Sequence, residues 1–202
     1  MRRVIVAFLL SGTMAGSAFG QSDGFNRTVQ LGGAYIVMNQ SYLSGGATEN
    51  DVISGPGVQL VGTSGNPFGF LIAASFAWAQ GATENGASVS LSPYDRRFID
   101  DILLGFAYRQ TLIPHLGVTL GAGAHALGAQ IFSSASIGAY LDVAYVAGIE
   151  GVARVSYDFT KSVGLYLSAT ASYDPLALVD ATTRSYQSGI TYSAGAGIEI
   201  LR

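Results

Sequence analysis

Six ionisable side chains in this sequence have the type and spacing to do chemistry: Asp101, Arg109, His125, Glu150, Arg154 and Glu199. Each stands in a segment where bulky and small residues alternate, and each falls on the small-residue side. Three chemistries suit such a set. Carboxylates and guanidinium groups of both signs can neutralise one another as a buried ionic plug, because a buried charge without a partner costs several kcal/mol. The same groups can form a gate or a ligand-contacting ring, since ionisable residues in an apolar setting mark functional sites. His125 with two carboxylates can also bind a metal ion, but a single imidazole offers little selectivity, so neither a metal nor a cofactor is expected.

Catalytic arrangements are poorly supported. A serine nucleophile needs a histidine within reach, yet His125 is followed by Ala126-Leu127, and His115 sits beside Pro114 in a turn. No GxSxG, HExxH or phosphate-cradling loop occurs in its required context, and the Gly121-x-Gly123 pair lies inside a strand pattern with no helix after it. Cysteine is absent, which removes disulfides and thiolate chemistry. No enzyme is expected. Asn26-Arg27-Thr28 matches a glycosylation sequon, a three-residue pattern that carries little weight by itself.

The elements that must position the six residues follow from composition and period. The chain opens with Arg2-Arg3, an apolar stretch from Val4 to Leu10, and Ala18-Phe19-Gly20 ahead of Gln21. That pattern is an export signal, and its apolar stretch is far shorter than the roughly 20 residues of a membrane helix. Residues 1–20 are therefore expected to be a signal peptide and residues 21–202 one domain. Of ten Lys and Arg, Arg2 and Arg3 fall in the leader, leaving eight against thirteen acids, a net charge near −5. With no basic stripe, nucleic acid is not an expected partner.

Charged residues make up 11% of the chain, against about 25% in soluble domains. Such a chain cannot coat a water-facing surface, yet it holds no apolar run of helix-spanning length. A closed barrel of strands satisfies both facts, because only every second residue meets lipid. The period agrees with that pattern. Phe68, Phe70, Ile72, Ala74, Phe76 and Trp78 alternate with Gly69, Ala73, Ser75 and Ala77. Similar alternation places Val29, Leu31, Tyr35 and Val37 outward, then Ile102 to Tyr108, Leu116 to Ala124, Ile149 to Phe159, Val163 to Tyr173, and Ile190 to Ile200. The segment near Gly57 to Thr63 is weakest, and its facing is ambiguous. The prediction is an all-β, closed, antiparallel, up-and-down transmembrane β-barrel of eight strands.

Short connections at 64–67, 111–115 and 159–162 alternate with long ones at 39–56, 80–99, about 128–140 and 175–185, which hold Glu49, Asp51, Glu84, Asp95 and Asp180. The long ones are expected to be solvated outer loops. Phe68, Tyr108, Tyr157 and Phe159 on one side, and Trp78, Tyr173 and Tyr186 on the other, are expected to form two interfacial girdles. By register, Asp101, His125 and Glu150 fall at similar heights on neighbouring strands, while Arg109, Arg154 and Glu199 lie nearer the short turns. Small lining residues such as Gly32, Gly121, Gly123 and Gly195 leave volume unless Leu71, Leu103, Ile36, Met38 and Tyr166 occupy it.

Over residues 28–202 this combination of leader, loop alternation and strand pattern resembles the small outer-membrane barrels of the outer-membrane protein W, X and A (transmembrane-domain) type. The run Tyr108-Arg109-Gln110 through the Pro114 turn into Val118-Thr119-Leu120-Gly121 is an instance. The resemblance implies an outer-membrane location, with outer-membrane lipid and the barrel assembly machinery as partners. A W-like relative implies a narrow channel for small hydrophobic solutes, and this is the preferred reading. X-like and A-like relatives imply a plugged lumen with structural or adhesive roles and loops that meet host surface molecules. Such barrels usually end in an aromatic residue, whereas this chain ends Ile200-Leu201-Arg202.

Overall fold

A computed structural model describes residues 27–88, 96–132, 140–180 and 184–201; the expected signal peptide lies outside the described residues. Among the described residues every regular element is a strand: β1 (Arg27–Ser44), β2 (Ala47–Gly65), β3 (Phe68–Trp78), β4 (Gly81–Glu84), β5 (Ala87–Ser88), β6 (Arg96–Ile113), β7 (Leu116–Phe132), β8 (Tyr140–Asp158), β9 (Val163–Asp180) and β10 (Ser185–Leu201). Eight of them form a ring in the order β1-β10-β9-β8-β7-β6-β3-β2, closed by β1 pairing with β2. All ring neighbours run antiparallel. Closure leaves the ring itself no open edge, which is what lets strands cross hydrocarbon without unpaired backbone groups.

The outward positions read from the sequence are outward in the structure. The large apolar residues on them, among them Leu31, Phe70, Leu104, Phe106, Leu120, Leu165 and Ile198, keep 42–73% of their surface exposed. Water does not tolerate that much contiguous apolar area, so its solvent is lipid. The ambiguous segment is also settled: Gln59 and Val61 of β2 face in and Val58 faces out.

All four expected long loops are instead partly strand, the one at about 128–140 because β7 runs to Phe132. Residues 39–56 are the upper arms of the β1–β2 hairpin, closed by the two-residue turn Gly45-Gly46, whose φ values of 57° and 89° suit a primed turn. Residues 81–88 form the small β4–β5 hairpin over Asn85-Gly86, with β4 laid on the upper half of β2. β9 continues through Pro175 because the chain bulges there: Tyr173 opposes Ile149 and Leu176 opposes Ala147, so Asp174 and Pro175 share the place of one residue. A bulge is where a strand accommodates proline, which has no N–H to give.

Every ring strand except β3 is 17 to 19 residues long, while a crossing needs about 9–11. At roughly 3.3 Å per residue, the barrel stands well above the membrane on the side away from the short turns. On β1 and β2 the outward residues there include the polar Asn39, Ser41, Thr48, Asn50 and Ser54, while Leu43 on β1 and Leu176 and Leu178 on β9 stay apolar and exposed.

Of the expected girdle residues, Phe68 lies against Tyr108 with ring centres 4.9 Å apart, and Tyr157 meets Phe159 edge to face at 5.4 Å, all at the short-turn rim. Trp78 meets Phe98 at the opposite rim, 4.9 Å between centres. Tyr186 departs from expectation: it points into the lumen, packs against Ile36 and its neighbours, and its hydroxyl donates to the Asp174 carbonyl at 2.5 Å.

Candidate functional site: a layered lumen

The interior is stacked in alternating polar and apolar layers. At the short-turn end, the Arg109 guanidinium donates through Nη1 to Glu199 Oε1 at 2.8 Å, with Asp158 Oδ2 3.8 Å from Nη2. Arg154 lies with its guanidinium carbon 5.4 Å from the centre of the Tyr166 ring. Tyr166 Oη accepts from Gln59 Nε2 at 3.1 Å, and the same amide donates to Ser168 Oγ at 2.9 Å. The three residues expected near this end, Arg109, Arg154 and Glu199, are thus there, as a base layer carrying both signs.

Above it Val61, Leu71, Leu103, Ala107 and Val152 form a first apolar layer. Next comes a polar layer built around His125. Its Nδ1 is 2.9 Å from Asp101 Oδ1 and 3.6 Å from Glu150 Oε2, while its Nε2 contacts Asp174 Oδ1. Asp174 Oδ2 accepts from Ser172 and Thr191 hydroxyls, each at 3.2 Å. The structure therefore brings Asp101, His125 and Glu150 together as their register implies. Asp174 was not among the expected site residues. The alternation Ser168, Thr170, Ser172 pointed to it, but Pro175 signalled a strand end and hid the bulge that turns its carboxylate inward.

A second apolar layer of Ile36, Met38, Ile53, Ala77, Ala79, Ile99, Leu127, Ala129 and Val146 lies above the His125 layer. The mouth is then closed by Arg184, another residue the sequence did not single out. Arg184 donates through Nη2 to Asp51 at 2.5 Å and through Nη1 to Glu49 at 3.3 Å, has Glu84 3.6 Å away, and stacks 4.3 Å over the Tyr42 ring. Tyr42 in turn donates to Gln40 at 2.6 Å. Glu49, Asp51 and Glu84, expected in solvated loops, hold the mouth instead. Asp95 lies outside the described residues.

The small lining residues do not leave a passage. A methyl group added at Gly121 would sit 2.7 Å from Leu71 Cδ2, one at Gly32 would meet the Tyr166 hydroxyl, and one at Gly195 the Gln59 amide. At these three positions a long side chain reaches across the lumen, whereas at Gly105, Gly123 and Gly197 the nearest atoms belong to the neighbouring strand's backbone. Both apolar layers are accordingly sealed, with every buried member at or below 7% exposure.

No family model and no curated protein matches the sequence. Solved structures do. Neisserial surface protein A is 15% identical, with 90% of this chain and 99% of that one covered and a TM-score of 0.58. By fold the chain is a small eight-stranded outer-membrane β-barrel. OprG of Pseudomonas aeruginosa is similar at 10% identity, covering 88% and 95% with a TM-score of 0.55. A major outer membrane protein of Thermus thermophilus is similar at 11%, covering 85% and 99% with a TM-score of 0.51. At these identities the likeness speaks for the barrel fold, and the lumen must speak for the rest.

Proposed function

We propose that this barrel is a non-enzymatic structural or surface-interaction protein of the outer membrane, with a plugged lumen and a protruding outer section that meets other molecules. The observation carrying this reading is the pair of sealed apolar layers, one on each side of the His125 layer. A conduit for small hydrophobic molecules, as the W-type resemblance implies, needs an apolar passage above the ionic base. Here Ile36, Met38, Leu71 and Leu103, which would line that passage, fill it. An eight-strand ring has an interior only just wide enough for side chains, so filling it takes few of them.

The same sealing argues against catalysis. His125 is held by carboxylates, Ser172 hydrogen-bonds to Asp174 rather than to the imidazole, and apolar layers above and below keep substrate away. What remains accessible is the extension above the membrane, with its polar outer face and its Arg184-tied rim. Outer-membrane lipid and the barrel assembly machinery are the partners common to any such barrel, and host surface molecules are the class suited to the outer rim.

Flux through reconstituted protein tests the reading. Liposomes carrying the folded barrel are expected to show no uptake of small apolar solutes and no conductance above protein-free controls. Removing the filling side chains together, Leu71→Gly with Leu103→Gly, should open measurable flux. Uptake by the wild type that scales with protein would overturn the plugged reading in favour of the channel.

A further inference from the structure

The two ionic layers are built differently. In the base, two guanidinium groups face Glu199 and Asp158. Around His125, three carboxylates converge on one imidazole, and among the described residues their ionic partner is His125 alone. Even with the imidazole protonated, this layer carries surplus negative charge between two apolar layers, where unpaired charge is costly. One atom shows the deficit directly. Glu150 is 6% exposed, its Oε2 is turned toward His125 Nδ1, and that oxygen has no hydrogen-bond partner.

We propose that Asp101, His125 and Glu150 form a binding site for one divalent transition-metal ion of the zinc type, an ion that ties β6, β7 and β8 together inside the lumen. One ligand atom from each of the three residues lies within 4.8 Å of the other two. Metal–nitrogen and metal–oxygen bonds of about 2.0–2.2 Å place neighbouring ligand atoms roughly 3.0–3.5 Å apart. The present separations from Nδ1, 2.9 Å to Asp101 and 3.6 Å to Glu150, straddle that range, so ligation needs only small side-chain shifts.

Asp174 completes the arrangement from the other side of the ring. Its carboxylate accepts the hydrogen bond from Nε2–H, so that once metal binding releases the Nδ1 proton the Nδ1 lone pair is directed at the space between Asp101 and Glu150. Ligating histidines characteristically give their second N–H to a carboxylate that fixes tautomer and ring orientation. Ser172 and Thr191 hold Asp174 in that pose, and the Asp174-Pro175 bulge brings it there. One imidazole with carboxylates is a borderline to hard donor set suited to zinc, cobalt(II) or manganese(II). Two positive charges offset the surplus that His125 alone cannot. Enclosed between apolar layers, the ion would be structural and would enter as the barrel folds.

The test is to refold the full-length chain in detergent with zinc, with cobalt(II), with calcium, or with chelator alone, remove free metal, and measure bound metal and the unfolding midpoint of the heat-modifiable gel band. One zinc per chain and a raised midpoint are expected, with calcium indistinguishable from chelator. Cobalt(II) should give ligand-field absorption that is lost in Glu150→Gln and His125→Gln, and Asp174→Asn should weaken retention about 10–100-fold. Wild-type protein that folds yet retains no zinc and shows no cobalt absorption would overturn the proposal, whatever the variants do. Equal retention by folded Glu150→Gln would also overturn it, and would assign the surplus charge to protons shared between the carboxyl groups.

Discussion

The lower and upper halves of the same strands face different solvents, and their sequences differ accordingly. Between the short turns and the level of Tyr35, Trp78 and Tyr173, outward residues are bulky and apolar. Above that level β1 and β2 send out Asn39, Ser41, Ser54, Asn50 and Thr48. Inside, the contrast is gentler, with apolar and ionic layers in both halves; the lower layer holds the fully buried Glu199 and Arg154, while the Arg184 cluster includes the exposed Glu84. The outer face thus records the solvent, while the inner face records the need to fill a narrow cylinder.

Substitutions at matched places can break that contrast. The largest expected effect is Glu199→Ala, which takes from the base layer its fully buried carboxylate, leaves Arg109 only Asp158 at 3.8 Å and deprives the buried Arg154 of its nearby opposite charge; it should cost on the order of 3–5 kcal/mol, read from urea unfolding in detergent or lipid. Leu104→Arg puts a charge on the lipid face opposite Ile72, near the middle of the apolar band. It should cost about 2–4 kcal/mol in lipid-embedded protein. Gly46→Val forces a branched side chain to a φ of 89° at the tip of the upper hairpin. The expected cost is roughly 1–2 kcal/mol, seen as faster hydrogen exchange in the upper β1–β2 arms with little change below. Arg184→Ala removes partly exposed ion pairs and should cost about 1 kcal/mol or less, an effect that shrinks with added salt. Thr48→Lys, the same kind of change as Leu104→Arg but above the membrane, should stay within about 0.5 kcal/mol. Similar costs for Thr48→Lys and Leu104→Arg would erase the proposed boundary between solvents.

How much of this was legible in the sequence follows from the same contrast. In the lower half hydrocarbon outside and side-chain filling inside impose a strict alternation, so strand identity and facing could be read from Val29 to Val37 or from Phe68 to Trp78. In the upper half of β1 and β2, Asn39, Ser41, Asn50 and Ser54 interrupt the outward apolar pattern, and the strands of residues 39–56 look like a loop. Only Gly45-Gly46 marked a tight turn there. Among the site residues, Asp101, His125 and Glu150 could be grouped because neighbouring strands share a register. Asp174 could not, because Pro175 conceals a bulge, and Arg184 could not, because its partners Glu49, Asp51 and Glu84 come from segments distant in sequence. The filling of the lumen was equally hidden: a glycine pattern shows where space is left, and only the fold shows that Leu71, Tyr166 and Gln59 reach across to take it.

All of this depends on hydrocarbon wetting the bulky outer faces. Trp78, the chain's one tryptophan, sits on that face at the upper rim, 43% exposed, and reports on it directly. In vesicles containing brominated lipids its fluorescence is expected to be quenched strongly by bromine placed near the headgroups and more weakly by bromine near the chain ends. Emission that is red-shifted as in water and indifferent to bromine at any depth would contradict the membrane-embedded barrel.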